Sequence, residues 1–170
     1  MHIEEVGNDE ERIGIQQSSP QGSRGTIDNQ QLTMPQSFQL EIVTPTRVID
    51  CGPVTYLRAP SSDGLFGVLA GHTRAMIALD TGTLKVTAES QTRTFATNGG
   101  YADIHGNNVQ LLVETAEETT EIDTPRAERA AQRARERLRE KARDKTLDEA
   151  RARAALQRAL VRLAVGNGQA

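Results

Sequence analysis

One change of rhythm constrains this chain more than any other feature. Up to about Glu121 its apolar residues fall in short runs with a spacing of two, and beyond it they recur with the spacing of a helix. "FQLEIV" alternates apolar and polar residues, as a half-buried strand does. "RVID", "VTYLRA", "LFGVL", "AMIAL", "TLKVTA", "TRTFAT", "YADIH" and "NVQLLVE" follow in the same style. Turn signals stand between them: Cys51-Gly52-Pro53, Ser61-Ser62-Asp63-Gly64, Asp80-Thr81-Gly82, Asn98-Gly99-Gly100 and Gly106-Asn107-Asn108. Short strands at such intervals predict an all-β sandwich or barrel over 37–121. One small sheet could not bury both faces, so two packed sheets are expected. Aromatic content is 3% with no Trp, so the core must be aliphatic and modest.

After Glu121 the stripe is narrow and made mostly of alanine: Ala127, Ala130, Ala131, Ala134, Leu138 and Ala142. Asp123 or Thr124 can cap the start, and Pro125 suits a first turn. "DKT" breaks the pattern, and Thr146 with Glu149 has the spacing of a capping box for a second helix. That helix carries Ala152, Ala155, Leu156, Ala159, Leu160 and Leu163, and Gly166 and Gly168 stop it. The pattern predicts an antiparallel helical hairpin over 122–165 with a short tail, 166–170. Alanine seams let two axes approach closely but bury little area. The hairpin should therefore be marginal alone and should dock on the sandwich or a partner.

Residues 1–36 show neither period and have the composition of a disordered leader. The net charge of -3 hides a split. The leader is about -4 and the strand region about -5, while 122–170, with thirteen basic residues against seven acids, is about +6. A hairpin so charged is expected to meet something anionic. The acidic opening lacks the apolar stretch of a signal peptide, and no run approaches the ~20 apolar residues of a membrane span. The expectation is a soluble chain that reaches a membrane only through a partner. The single cysteine, Cys51, leaves no internal disulfide and reads as a small structural residue.

A turn near residue 145 sets residue i of the hairpin opposite roughly 290 minus i. Arg126 then lies near Arg162, and Arg133 near Arg158. Four guanidiniums converge, with Glu117 and Asp123 beside them. Neither Arg158 nor Arg162 has an acid one turn away. The ordinary reading is a solvated helical face. The sharper one is a polyphosphate site, since arginine forks match phosphate oxygens and the first helix adds the positive end of its dipole. No glycine loop of the phosphate-cradling kind occurs, so a nucleotide here would be sensed, not hydrolysed.

From about Ser37 to Val165 the chain resembles the epsilon subunit of bacterial F-type ATP synthases. "LEIVTP" resembles the family's opening strand, "GLFGVLAGHTRAMIAL" its "GxLGILPGHxPLxxxL" stretch, and "NGGYADIHGNNVQLLVE" its "SGGxxEVxxxxVxILA" stretch. The resemblance implies a sandwich of about ten strands followed by two helices. It implies a non-catalytic central-stalk subunit, seated on gamma and touching the c-subunit rotor ring, peripheral on the cytoplasmic face of the cell inner membrane. It further implies helices that extend into the catalytic alpha/beta head and inhibit ATP hydrolysis. In several members the compact form binds ATP, as a regulatory ligand and not a required cofactor, through I/L-D-x-x-R-A. Ile122, Asp123, Arg126 and Ala127 match that motif, and Glu117, Arg133, Arg158 and Arg162 match family positions that line the nucleotide. Leu65, Gly71 and His72 fall in the second resembling stretch and are the candidate interface residues. Pro125 within the motif, Ala70 in place of a proline and the leader depart from the family pattern.

His72 has no nucleophile or metal cluster with it and reads as a turn or interface residue, so no catalytic or metal site is expected. The competing function is an Arg-rich RNA-binding helical module on a β scaffold. Sparse aromatics and an acidic sandwich speak against base stacking.

Overall fold

In the computed structural model the described residues are 37–89, 91–140 and 146–169. The leader, Ala142 and part of the "DKT" turn lie outside them. The opening strand β1 (Phe38–Val43) turns Phe38, Leu40 and Ile42 inward, as its alternation requires. It runs antiparallel to β2 (Val48–Val54) and parallel to β7 (Asn108–Val113). Between them in the chain come β3 (Tyr56–Ser61), β4 (Gly64–Val68), β5 (Ala75–Ala88) and β6 (Gln91–His105), and a short β8 (Ala116–Glu118) follows. The strand order is β2-β1-β7-β6-β5-β3-β4, with β8 on β6.

Among the described residues eight strands stand where about ten are expected, and the difference is instructive. "AMIAL" and "TLKVTA" are one strand, as are "TRTFAT" and "YADIH". Asp80-Thr81-Gly82 and Asn98-Gly99-Gly100, expected as turns, face each other inside this hairpin, with Thr81 opposite Asn98 and Gly82 opposite Thr97. What changes there is the phase. On β5 the inward positions are Ala75, Ile77 and Leu79 before this point but Leu84 and Val86 after it. On β6 they pass from Phe95 and Thr97 to Ala102 and Ile104. The hairpin folds over, and its two halves serve two layers. Gly100–Ile104 pair with Leu79–Ala75 and with β7, while the other halves pair with β3 and β8. Residues of both layers share one core, among them Leu40, Ile42, Leu57, Phe95, Ile104 and Leu111.

Cys51-Gly52-Pro53 is likewise no turn. Leu40 pairs with Gly52 and Glu41 with Asp50, so Cys51 is the extra residue of a bulge, and Gly52 takes φ 65°. Ser61–Gly64 and Gly106-Asn107 do turn, closing β3–β4 and β6–β7.

A 3-10 turn (Thr119–Glu121) leads to α1 (Thr124–Glu140), and α2 (Glu149–Gly166) returns. Asp123 caps α1, its carboxylate accepting from the Arg126 amide at 2.9 Å. The second cap is Asp148 and not Thr146: Asp148 accepts from the Arg151 amide at 3.0 Å. With the helix starting there, Glu149 becomes its first residue and pairs forward with Arg153. Ala127, Ala131 and Ala134 are buried against α2, which contributes Ala152 and Ala159. A Cβ added at Gly166 would lie 2.9 Å from Thr124 Oγ1, the pairing that the 290 minus i register gives. The hairpin docks through α2, which packs on β5 and β6 and donates from Gln157 Nε2 to the Thr81 carbonyl at 3.2 Å.

The fold-over requires glycine. Gly100 has φ 143°, and a Cβ there would sit 2.0 Å from the Leu112 carbonyl oxygen. Gly100→Ala is expected to cost more than ~4 kcal/mol or to abolish folding. Gly106→Ala, at φ 63° with open space around it, should cost only ~1–2 kcal/mol. Urea melts of the two variants check the contrast.

Candidate functional site

The segment from β8 to α1 is rich in carboxylates, and its three glutamates are each met by an arginine from a different place. Glu118 receives Arg93 Nε at 2.9 Å and Nη2 at 2.8 Å from β6. Glu121 receives both terminal nitrogens of Arg47, from the β1–β2 turn, at 2.5 and 2.6 Å. Glu117 receives Arg162 of α2, through Nε at 2.8 Å and Nη2 at 2.7 Å. The hydrogen bond to Glu117 holds the Arg162 guanidinium above its ordinary pKa. Arg93 lowers the carboxyl of Glu118.

A cleft of about 440 Å³ opens where this segment meets the hairpin. It is lined by Glu117, Glu121, Asp123, Arg126, Ala127, Ala130, Arg133, Ala159 and Arg162. Six of the residues named from sequence meet here: Glu117, Asp123, Arg126, Ala127, Arg133 and Arg162. Ile122 does not line it but packs at the helix crossing, 3.1 Å from a Cβ built on Gly166. Arg158 is half-buried outside the lining. The sequence reading missed Glu121, Ala130 and Ala159. The register that places Arg126 opposite Arg162 also places Ala130 opposite Ala159, and so could have found two of them.

Arg162 is not a free cation, for Glu117 already occupies its fork. Arg126 and Arg133 are exposed, and neither side chain has an ion-pair partner among the described residues. Two unpaired guanidiniums, one in the first turn of α1 and one near its middle, with small alanines between the helices, form a setting for a polyanion. The volume is ordinary for a small-molecule site. A second groove of about 410 Å³, between α2 and β5, is mostly apolar, with Leu156, Leu160, Val161 and Ala164 along it.

Leu65 lies exposed on β4, and Gly71 and His72 form the turn before β5, none of them lining the cleft. The His72 amide donates to the Leu69 carbonyl at 3.1 Å, and its Nδ1 lies 2.7 Å from the Thr73 carbonyl, as a turn-holding histidine would. Cys51 is half-buried, and burial pushes its thiol up, in keeping with a structural role. No helix among the described residues is long and apolar enough to cross a membrane.

The family described as "ATP synthase, Delta/Epsilon chain, beta-sandwich domain" matches residues 37–119, and "ATP synthase, Delta/Epsilon chain, long alpha-helix domain" matches residues 120–166. The ATP synthase epsilon chain of Carboxydothermus hydrogenoformans is 42% identical over 96 residues, covering 56% of this chain and 72% of that one. That of Lawsonia intracellularis is 40% identical over 95 residues, covering 56% and 71%. Among solved structures, a chain of the Euglena gracilis mitochondrial ATP synthase superposes with a TM-score of 0.64 at 24% identity, covering 73% of this chain and 78% of that one. That likeness is one of fold. None of these matches supports an RNA-binding module.

Arg47 draws the Glu121 carboxyl down to about 2, helped by the Glu118 amide. A depressed carboxyl stabilises the fold above its ordinary value of 4.5, and the contribution is gone once pH falls through about 2. Both side chains are well exposed, so solvent screens the pair and Glu121→Gln should cost under ~1 kcal/mol at neutral pH. Thermal melts should show that deficit near pH 7 and no difference from the unsubstituted chain near pH 2.

Proposed function

Because this chain belongs to the ATP synthase delta/epsilon chain family, we propose that it works as a non-catalytic, regulatory subunit on the rotor of an F-type synthase. In this reading the sandwich seats on the gamma subunit and the ring of c subunits, peripheral to the membrane on its cytoplasmic face. The hairpin restrains ATP hydrolysis when it extends toward the alpha/beta head, and ATP in the charged cleft favours the compact form. The observation that carries the regulatory reading is the pair of unpaired guanidiniums, Arg126 and Arg133, facing a cleft between two thinly packed helices.

The chemistry assigns parts to the residues. Arg126 and Arg133 supply charge to phosphate oxygens. Arg162 joins them to the extent that it releases Glu117. The Asp123 carboxylate is committed to the helix cap and positions α1. A ligand that binds only the compact hairpin stabilises it by linkage.

Losing one charge-assisted contact costs about 1.5–3 kcal/mol, or ten- to a hundred-fold in affinity. Arg126→Ala and Arg133→Ala should therefore weaken ATP binding by that factor. Arg139→Ala, at the far end of α1, should leave it unchanged. Isothermal titration decides: no heat with millimolar ATP, or equal effects of all three substitutions, would remove the ligand from the proposal. The main core cluster contains sandwich residues alone, so a chain ending at 121 should still assemble. ATP hydrolysis by the synthase carrying it should rise, and an unchanged rate at every ATP concentration would argue against an inhibitory hairpin.

A further inference from the structure

Apart from the charged cleft, α2 leaves a second surface open. It buries small residues, Ala152 and Ala159, in the seam of the hairpin, while Leu156, Leu160, Val161 and Ala164 line the groove of about 410 Å³ beside β5. Leu160 is 41% exposed. Leu156, Leu160 and Ala164 are spaced by four and form one ridge about 12 Å long. The lining holds no carboxylate, and its one cation, Arg153, is paired with Glu149. The walls are α2 and Thr83 of β5, so the groove lasts only while helix and strand stay together.

The sheet beside this groove carries charge of one sign. On β5, Leu84 and Val86 point inward, so Thr83 in the groove and Lys85 next to it share the outer face. Lys85 pairs directly with Arg58 of β3, whose neighbours Leu57 and Ala59 are buried in turn. Two cations thus stand side by side, an arrangement that by itself costs stability. The outward residues around them, Tyr56, Gly67, Thr83, Thr87 and Thr94, bring no carboxylate. Neither side chain has an ion-pair partner among the described residues, and Arg58 Nε is buried with no hydrogen-bond partner. A buried donor in that state calls for an acceptor.

The free cations are gathered at one spot and the apolar surface lies in one strip. A partner helix would call for charges spread along the margin of the groove, turn by turn. One anionic head on one apolar tail matches the arrangement as it stands. We propose that this surface binds a single-chain anionic amphiphile, a fatty-acid anion. Its carboxylate meets Arg58 and Lys85, where the guanidinium fork suits it. Its alkyl chain lies along Leu156, Leu160 and Ala164 and is removed from water there. Because such a ligand touches both α2 and the sheet, it stabilises the docked hairpin by linkage. The site is separate from the charged cleft and does not depend on the chain's place in a synthase.

The test uses the full chain and dodecanoate below its micelle-forming concentration. Isothermal titration should show one saturable site, and Tm should rise with ligand. Arg58→Gln and Lys85→Gln should each weaken binding about tenfold or more, the effect of losing one charge-assisted contact. Leu160→Gln should weaken it about tenfold through the tail. Leu112→Gln, similarly exposed but on the other layer, should not change it. Each variant's Tm without ligand shows that it folds. Dodecanol, with the same tail and no charge, should bind about tenfold more weakly or worse. Vesicles of phosphatidylglycerol should not retain the chain, since a two-chain lipid offers no single tail to the groove. No binding of dodecanoate overturns the proposal, and so does equal binding by all the variants or by dodecanol. Retention on vesicles without dodecanoate binding makes a membrane surface the occupant, and binding of an acidic amphipathic peptide in its place makes a partner helix the occupant; either result overturns the proposal.

Discussion

Three carboxylates in one short connector hold the parts of this protein in register. Glu118 is tied to β6 through Arg93, Glu121 to the β1–β2 turn through Arg47, and Glu117 to α2 through Arg162. Glu121 also accepts from the Glu118 amide at 2.9 Å, which closes the 3-10 turn on itself. None of these pairs is deeply buried, so each contributes little net stability. Their effect is geometric. A shift of the connector by one residue would turn each carboxylate away from its arginine, so the start of α1 has one position relative to the sandwich. Two of the three pairs lie within the sandwich and connector, and only Glu117–Arg162 reaches the helices. The other two clamps on the connector therefore do not involve the hairpin.

The hairpin is held to the sandwich by thin packing and few polar ties. Its buried positions are mostly alanines, each removing little more than a methyl group from water, and α1 rests on α2. The Arg162 fork on Glu117 and the Gln157 bond to Thr81 are the polar ties between α2 and the rest of the described chain. Both can be replaced by water. Glu117 also lines the cleft, where it holds Arg162, so the cleft is partly neutralised from within. Of the three arginines that line it, Arg162 is paired, while Arg126 and Arg133 have no ion-pair partner among the described residues.

Much of this was legible in the sequence because it is local. The change of period marked the boundary between strands and helices, Asp123 was one of the two caps that the start of the helix offered, and the register of the hairpin followed from two lengths and a turn. The misreadings share a cause. Asp80-Thr81-Gly82 and Asn98-Gly99-Gly100 carry the composition of turns, yet they mark a slip in phase where a paired hairpin folds over. Small flexible residues serve either purpose, and composition does not tell them apart. The Cys51 bulge was missed for the same reason, and β8 is too short to show a period. Arg162 looked unpaired because its acid lies 45 residues away in the chain. An outward-facing apolar row that crosses β5, β6, β7, β1 and β2 was invisible for a stronger reason. Val43, Val48, Ala78, Tyr101 and Leu112 are unremarkable in their own strands and become a surface only when pairing aligns them.

That row and the hairpin are held by the same two strands. Thr81 and Thr83, on one side of the fold-over, meet α2, while Ala78 and its partner Tyr101, on the other side, stand in the apolar row of the other layer. The bend at Gly99-Gly100 lets one continuous hairpin present both surfaces. Its backbone bonds run through the bend, so a load on the outer face is borne by the strands on which α2 rests. A pair of separate short hairpins, the arrangement the turn signals suggested, would join the two surfaces only through side-chain packing. Continuity of β5 and β6 gives a small sandwich a stiff frame on which α2 rests.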